Sequence, residues 1–492
     1  MMAPMTQLSA VRTTGIYCRP DCGGRPKAEN VQRFSSAAAA EAAGYRACLR
    51  CRPYRDEPPI ACDGPELVCR AVQLVLDGAL DEGGEQALGS RLGISARHLR
   101  RLSIEHLGVT LDQLARSRRA HFARRLLDDT DLTVTEIAFA AGFGSVRQLN
   151  RACRELFRAT PTALRARRRS ADRLVADGGL VLRLPYTGAL PWEEMLGYAE
   201  ARAIAGVERV EDGTYRRTVL IDGDPGVIEL ARGGRDHLIL RAHLPHWEGV
   251  IHIAQRARRI FNLDANVEDA TGHLRADPEM RRLVERHPGQ RPMGCWDPFE
   301  TGVRAIVGQQ ITVSGANTVA ARMVAELGAP VPGLTALGLT HLFPSPSALA
   351  GADLRSVGLT ASRAATVSAF ARAVEGDDVA LDRGQDLDTL VAGLTSIPGL
   401  GPWTAHYLAL RLGAPDAFPS ADAGIRRALG AILGTPPSAR GAAEHAERWA
   451  PCRAHAAALL WSTLATAPPA QAAPGATVAR RQSGPEELEG AA

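Results

Sequence analysis

The rhythm of apolar and polar positions divides the chain into stretches of different kinds. Over residues 65–170 it predicts a series of helices that finishes in the basic run "RARRRS". Within that series, "EQALGSRLGISARHLRRLSIEHLG" (85–108) reads as a helix, a turn at Gly93 and a second helix with Arg97, Arg100 and Arg101 exposed. "TVTEIAFAAGFGSVRQLNRACRELFRATPTALR" (133–165) repeats the plan. Thr133 caps its first helix with Glu136 as capping-box partner, Gly142 turns the chain, and Ser145 opens a helix presenting Arg147, Gln148 and Arg151. A long helix from Leu111 to Leu127 joins the two units. Residues 180–465 mix strand-like runs ("VLRLPY", "HLILRAHL") with many helical ones. The first 60 residues are loop-rich and end near "DEPP", and residues 466–492 are Pro/Ala/Gly-rich and read as a disordered tail. The alanine runs at 37–40 and 361–373 are expected to be ordinary helix surface. No run of eighteen apolar residues occurs, so no membrane span is predicted, and the start lacks the apolar centre of a signal peptide.

A length of 492 residues is enough for three or four domains, each burying its own core. The net charge of +4 hides an uneven distribution. Residues 85–173 carry 18 Arg against 9 acids, while residues 174–492 carry 30 basic against 35 acidic residues. The middle of the chain is therefore the expected nucleic-acid reader, and its paired helices suit a major groove. A purely structural helical domain would also fit the pattern, but not the charge.

Of nine cysteines, four cluster early: Cys18 and Cys22, then 25 residues, then Cys48 and Cys51. Two such pairs can place four thiolates around one Zn²⁺, the pattern of a cytosolic protein with a metal site rather than of a disulfide framework. Spacing alone leaves open whether the zinc is structural or reactive. "AVRTTGIYCRPDC…AAGYRACLRC" resembles the N-terminal domain of the Ada adaptive-response proteins. The resemblance implies that Cys18 is both zinc ligand and methyl acceptor, taking methyl irreversibly from a DNA phosphotriester, after which the domain binds DNA more tightly. Family members carry some tens of residues before "VRTTG", including a strand and a helix. This chain starts 17 residues before Cys18, so a trimmed domain or a misassigned start is expected. The middle segment is similar to the AraC/XylS DNA-binding domain, whose signature region is "AGFGSVRQLNRACRELFRATPTALR".

Further on, "LTSIPGLGPWTAHYLAL" fits a helix-hairpin-helix in which Gly399 and Gly401 let the backbone approach a phosphate. Amides of the following helix, around Thr404, would hold that phosphate without reading sequence. Asp422 lies 21 residues past Gly401 at the start of a predicted helix, where it could also be an N-cap. Hairpin and aspartate together resemble the helix-hairpin-helix DNA glycosylases. Residues 180–465, from "LRLPYTGALPWEEMLGYAEARAIAGVERV" through "DPFETGVRAIVGQQITV" to "AERWAPCRAHAAALLWSTLA", resemble the AlkA branch, the 3-methyladenine DNA glycosylases II. The resemblance implies that Asp422 is the catalytic carboxylate and that Trp403, Tyr407 and Trp461 line the base pocket. It places Gln310, after Gln309, where the family pushes a wedge into the gap left by the flipped nucleotide. It also implies a monovalent cation on the carbonyls of Thr395, Ile397 and Leu400. Pro451-Cys452-Arg453 superficially resembles the Pro-Cys-His-Arg of O6-alkylguanine transferases, but its flanks match the last glycosylase helices, so Cys452 is expected to be a packing residue.

The chemistry suits such a pocket. An alkylated purine carries positive charge, which weakens its glycosidic bond, and electron-rich rings select it by cation–π contact. The nucleotide must be flipped out, and a carboxylate must stabilise the sugar cation. Lys27 is the only lysine, so residues 174–492 offer no amine for a Schiff base, and release of base without strand cleavage is expected.

The expected fold class is multidomain α+β. It comprises a small four-cysteine zinc domain (1–60), an all-α double helix-turn-helix domain (65–170), an α+β glycosylase N-terminal domain (180–290), an α-helical helix-hairpin-helix core (291–465) and a tail (466–492). The expected function combines methyl sensing, transcription activation and base excision, in the bacterial cytoplasm at the nucleoid. One Zn²⁺ per chain, alkylated and promoter duplex DNA, and RNA polymerase are the expected cofactor and partners. The rival reading is a DNA-binding regulator whose enzymatic modules are degenerate.

Overall fold

A computed structural model describes residues 8–55, 65–174 and 178–465. The expected tail lies outside them. The first unit is a four-stranded sheet of β1 (Leu8–Val11), β2 (Ile16–Cys18), β3 (Val31–Phe34) and β4 (Arg46–Ala47), ordered β3-β1-β2-β4. β1 runs antiparallel to both β2 and β3, while β2 pairs parallel with β4. Ser36 caps the helix Ala37–Ala42 through the Ala39 amide. The expectation of a surface alanine run fails here, because Ala38, Ala39 and Ala40 are buried. Small side chains let this helix lie close against the long helix Leu111–Asp129. In the second run, Ala364 and Ala371 are likewise buried.

The middle unit has the two predicted helix pairs, Gly84–Arg91 with Ala96–Leu107, and Val134–Ala140 with Val146–Phe157. The helix Leu111–Asp129 joins them. The capping box at Thr133 and Glu136 is present, and Gly142 turns the chain at φ +76°. Cys69, on the preceding helix Glu66–Leu76, is disulfide-bonded.

The third unit is a five-stranded antiparallel sheet: β5 (Leu180–Pro185), β6 (Glu208–Glu211), β7 (Thr214–Ile221), β8 (Asp224–Arg232) and β9 (His237–His243). Its order is β5-β9-β8-β7-β6, so the first strand closes on the last, with the helix Trp192–Glu200 between β5 and β6. From residue 250 on the described chain is helical, and the helices after 298 share a core around Phe299, Phe370, Leu408, Ile425 and Trp449. Cys452 packs half-buried on that core, and burial pushes its thiol up to about 11.

The sequence divides the chain into separate segments, but one apolar core runs through three of them. It includes Tyr17 and Tyr54 of the first unit, Phe122 and Phe157 of the second, and Leu182, Trp192 and Phe261 of the third. Beside it lies an ionic hub at the C-terminal end of the long helix. Asp128 accepts from Arg124 and from the Tyr54 hydroxyl at 3.1 Å; Asp129 accepts from Arg55 and from Arg183 of β5, each at 3.0 Å. Arg52, which directly follows Cys51, pairs with Asp172. The basic segment thus supplies the hub with its carboxylates, Asp128, Asp129 and Asp172, which take arginines from the units on either side.

Candidate functional site

In the first unit Cys18 ends β2 and Cys22 follows in the turn after it, and the loop after β4 carries Cys48 and Cys51. The parallel β2–β4 pair brings the two loops side by side, and all four sulfurs lie within 4.8 Å of one another. Among the described residues this is the one cluster of metal-ligand type. Its chemistry fits zinc. As free thiols these groups would resist ionising together: burial, then neighbouring sulfurs, holds Cys18 above the ordinary thiol range, and Cys51 is pushed up to about 12, led by burial. A divalent cation removes that conflict. Backbone N–H groups are directed at two of the sulfurs, from Arg50 to Cys48 at 3.4 Å and from Arg19 to Cys51.

The helix-turn-helix units expose the predicted side chains. Arg97, Arg100 and Arg101 project from the helix Ala96–Leu107, with Arg100 bonded to Glu85 at 3.0 Å. Arg147, Gln148 and Arg151 project from Val146–Phe157, whose N-cap is Ser145. Gln148 turns back to accept from the Gly144 amide at 3.0 Å, and Arg151 pairs with Glu155.

In the helical domain the hairpin joins Leu387–Thr395 to Pro402–Leu412. Its two glycines serve different needs. Gly399 has φ +88°, and a Cβ there would fall 1.9 Å from Thr366 Oγ1, so its smallness is required inside the protein. Gly401 caps the following helix, and a Cβ there would meet nothing within 4 Å. The Thr404 side chain is buried and accepts from Gln309 Nε2 at 3.1 Å. Only its backbone amide, in the first turn of the helix, remains suited to a phosphate. Gln310 is exposed in a left-handed conformation, φ +56°, and Ile311 and Val313 beside it are also exposed.

Asp422 is the N-cap of the helix Ala423–Leu433, its Oδ1 accepting from the Ile425 amide at 2.9 Å. The same oxygen accepts from Trp461 Nε1 at 2.9 Å, and Oδ2 accepts from Trp403 Nε1 at 3.2 Å. Trp403 stacks on Tyr407 (centroids 5.6 Å apart, planes 18°), and Tyr407 meets the Trp461 ring edge to face at 6.3 Å. All four sequence-predicted residues therefore converge on one half-buried site. Sequence reasoning missed Tyr198 and Arg411, which border it, with Arg411 donating to the Tyr198 oxygen at 3.0 Å. Arg411 was findable, one helical turn after Tyr407. Tyr198 was not, because only tertiary contact brings its helix here.

A four-cysteine centre, paired helix-turn-helix units and a hairpin followed by a capped aspartate define the class: a DNA-acting protein whose last domain has the helix-hairpin-helix glycosylase fold. Four family profiles agree. "Metal binding domain of Ada" matches residues 6–54, and "Helix-turn-helix domain" matches 88–167. "AlkA N-terminal domain" matches 181–297, and "HhH-GPD superfamily base excision DNA repair protein" matches 303–452. The probable bifunctional transcriptional activator/DNA repair enzyme AlkA of Mycobacterium tuberculosis is 39% identical over 462 residues, 92% of each chain. The chain belongs to that family of bifunctional transcriptional activator/DNA repair enzymes. DNA-3-methyladenine glycosylase 2 of Escherichia coli is 32% identical over 280 residues, 55% of this chain and 93% of that protein. The 3-methyladenine DNA-glycosylase of Archaeoglobus fulgidus shares the fold at TM-score 0.51 and 24% identity, over 57% of this chain and 96% of that one. Among the described residues no helix is long and apolar enough to cross a membrane.

Proposed function

We propose that the chain senses alkylated DNA, activates transcription and excises alkylated bases such as 3-methyladenine. The observation that carries the excision reading is Asp422, whose two oxygens are fixed by two tryptophans at the mouth of an aromatic cluster. A flipped, positively charged base stacks among Trp403, Tyr407 and Trp461. As its bond to C1′ breaks, the base leaves with the electron pair, and the carboxylate stabilises the sugar cation. Water then adds to C1′ and loses its proton, leaving an abasic strand. With Lys27 the only lysine, lying in the first unit, no lysine near this site can form a Schiff base, which supports release without strand cleavage. Gly401 and the first-turn amides beyond it grip the backbone. Gln310, with exposed Ile311 beside it, occupies the gap left by the nucleotide. The hairpin carbonyls of Thr395, Ile397 and Leu400 are the place for a monovalent cation.

In the first unit Cys18, Cys22, Cys48 and Cys51 hold one zinc ion, which when bound keeps the sulfurs as thiolates at neutral pH. N–H bonds damp the sulfurs of Cys48 and Cys51. Cys18 attacks the methyl of a phosphotriester: a sulfur–carbon bond forms, the carbon–oxygen bond breaks, and a phosphodiester leaves. Arg97, Arg100 and Arg101 with Ser145, Arg147, Gln148 and Arg151 read promoter duplex, and the bound protein recruits RNA polymerase.

The test uses the full chain on duplex bearing methylated purines. Wild type releases base and nicks nothing before alkali, and Asp422→Asn slows release by about 10²–10³. No release by wild type, a borohydride-trapped adduct in this domain, or full activity of the variant refutes excision. Mapping methyl to a cysteine other than Cys18 refutes the acceptor.

A further inference from the structure

The segment that carries Gln310 links the helix Pro298–Val307, C-capped by Gly308, to the helix Val313–Leu327, N-capped by Thr312. From Gln310 to Val313 it is exposed. The left-handed backbone of Gln310, φ +56°, is a conformation that a residue with a side chain adopts only at a cost in energy. Gln309, just before it, is tied at three points. Its amide donates to the Ile306 carbonyl at 3.2 Å, its side-chain Nε2 donates to Thr404 Oγ1 at 3.1 Å, and its carbonyl accepts from Arg363 Nη2. Thr404 is buried in the first turn of the helix Pro402–Leu412, and Arg363 lies half-buried in the first turn of the helix Ala361–Glu375. The residue before the exposed turn thus faces into the protein.

We propose that Gln309 and Arg363 are positioning residues for nucleotide flipping, strapping the wedge at Gln310 at a fixed distance from the hairpin that grips the DNA backbone. This rests on the excision reading above and on its placing of the wedge. Unstacking a paired nucleotide costs free energy, and a side chain inserted in the gap offsets part of that cost only while its own backbone holds still. A loop free to hinge would be pushed back by the closing stack. The fixed point is the hairpin. Gly399 lies so close on Thr366 that no side chain fits between them, and Thr366 is three residues past Arg363 on the same helix. One helix therefore bears the hairpin at Thr366 and the wedge loop at Arg363, and the Gln309–Thr404 bond closes the third side of the triangle.

The two ties are unequal. Gln309 and Thr404 join as neutral groups, whereas Arg363 brings a cation to a carbonyl, and such charge-assisted bonds are the stronger kind. Loss of Arg363 is therefore the more severe. Asp422 is held by separate donors, the Ile425 amide and the indoles of Trp403 and Trp461. The strap accordingly acts on opening of the duplex and not on cleavage of the glycosidic bond. Its effect is greatest where the target base is paired and stacked, and fades where the base has no partner.

The experiment uses the full chain and two duplexes carrying the same methylated purine, one with the target paired and one with it opposite an abasic gap. A 2-aminopurine beside the target reports unstacking as a rise in fluorescence, and single-turnover kinetics reports release. On the paired duplex Gln309→Leu is expected to slow release about three- to tenfold and Arg363→Met at least about tenfold, both with a smaller fluorescence rise. On the gapped duplex both losses shrink to within about twofold. Arg363→Lys, which keeps a cationic donor, restores most of the fluorescence rise. Thr404→Val removes the other end of the side-chain bond, so its double variant with Gln309→Leu is no slower than the slower single one. Equal slowing on both duplexes, an unchanged fluorescence rise in Gln309→Leu and Arg363→Met, or additive losses in the double variant overturns the proposal. Gln310→Ala, run in parallel, separates the failures. If it opens the paired duplex as wild type does, the wedge reading falls and this inference with it. If it loses the fluorescence rise while Gln309→Leu and Arg363→Met keep theirs, only the strap is lost.

Discussion

Trp461 donates its indole N–H to Asp422 Oδ1 at 2.9 Å, from a residue 39 positions further along the chain. The same oxygen caps a helix through the Ile425 amide, so its direction is fixed by two donors from different elements. Both donors point their N–H groups at that oxygen, and the helix N-terminus adds its partial positive charge. A carboxylate held this way is ready for a developing cation without having to reorganise.

Trp461→Phe keeps the ring edge against Tyr407 but removes the donor. Base release is expected to slow about tenfold, equivalent to ~1.4 kcal/mol for one charged hydrogen bond, with duplex binding unchanged. Single-turnover kinetics checks this, and an unaltered rate would show that Ile425 and Trp403 suffice to hold Asp422.

The two hairpin glycines are expected to fail differently. Gly399→Ala forces a side chain into φ +88° and against Thr366, at ~1–2 kcal/mol for the backbone and ~1–3 kcal/mol for overpacking. Gly401→Ala meets no neighbour, so the melting temperature holds while binding to duplex with an abasic site weakens. Thermal melts paired with binding isotherms distinguish the two, and a stable Gly399→Ala would contradict the assignment.

Asp128→Asn keeps the shape of the hub but removes its central charge. Arg124, 1% exposed, then lacks compensation, and breaking such a buried pair costs about 3–5 kcal/mol. The first unit is tied in through Tyr54 and Arg55, so limited proteolysis should release it together with the loss in melting temperature. A variant as stable as wild type would show that the shared apolar core alone joins the units.

His455 sets an acid limit. Both of its ring nitrogens are buried without a hydrogen-bond partner, and burial, then Arg291, lowers its pKa to about 4. A base lowered in the folded state is neutral there, so its contribution is intact above the unfolded value of about 6.5 and is lost as pH falls from there toward 4. Wild type should lose melting temperature over that interval, and His455→Leu should lose less. Parallel pH profiles for the two proteins would exclude His455 as the cause.

Local chemistry was legible in the sequence wherever a function uses neighbouring residues. The four cysteines come as two close pairs, the capping box from Thr133 to Glu136 spans four residues, and the hairpin is one contiguous motif. Asp422 could be recognised as both cap and candidate carboxylate, because a cap is defined by its own helix start. The backbone by itself dictates such features. Tertiary structure decided which groups face each other across the chain. It paired Trp461 with Asp422, brought Tyr198 to Arg411, buried the Thr404 hydroxyl under Gln309, and buried the alanine run at 38–40. It also made three carboxylates of the basic segment, Asp128, Asp129 and Asp172, the centre of an ionic hub tied by arginines of its neighbours. None of these has a sequence period, because each joins side chains far apart along the chain, and only the packing of a shared core fixes which of them meet.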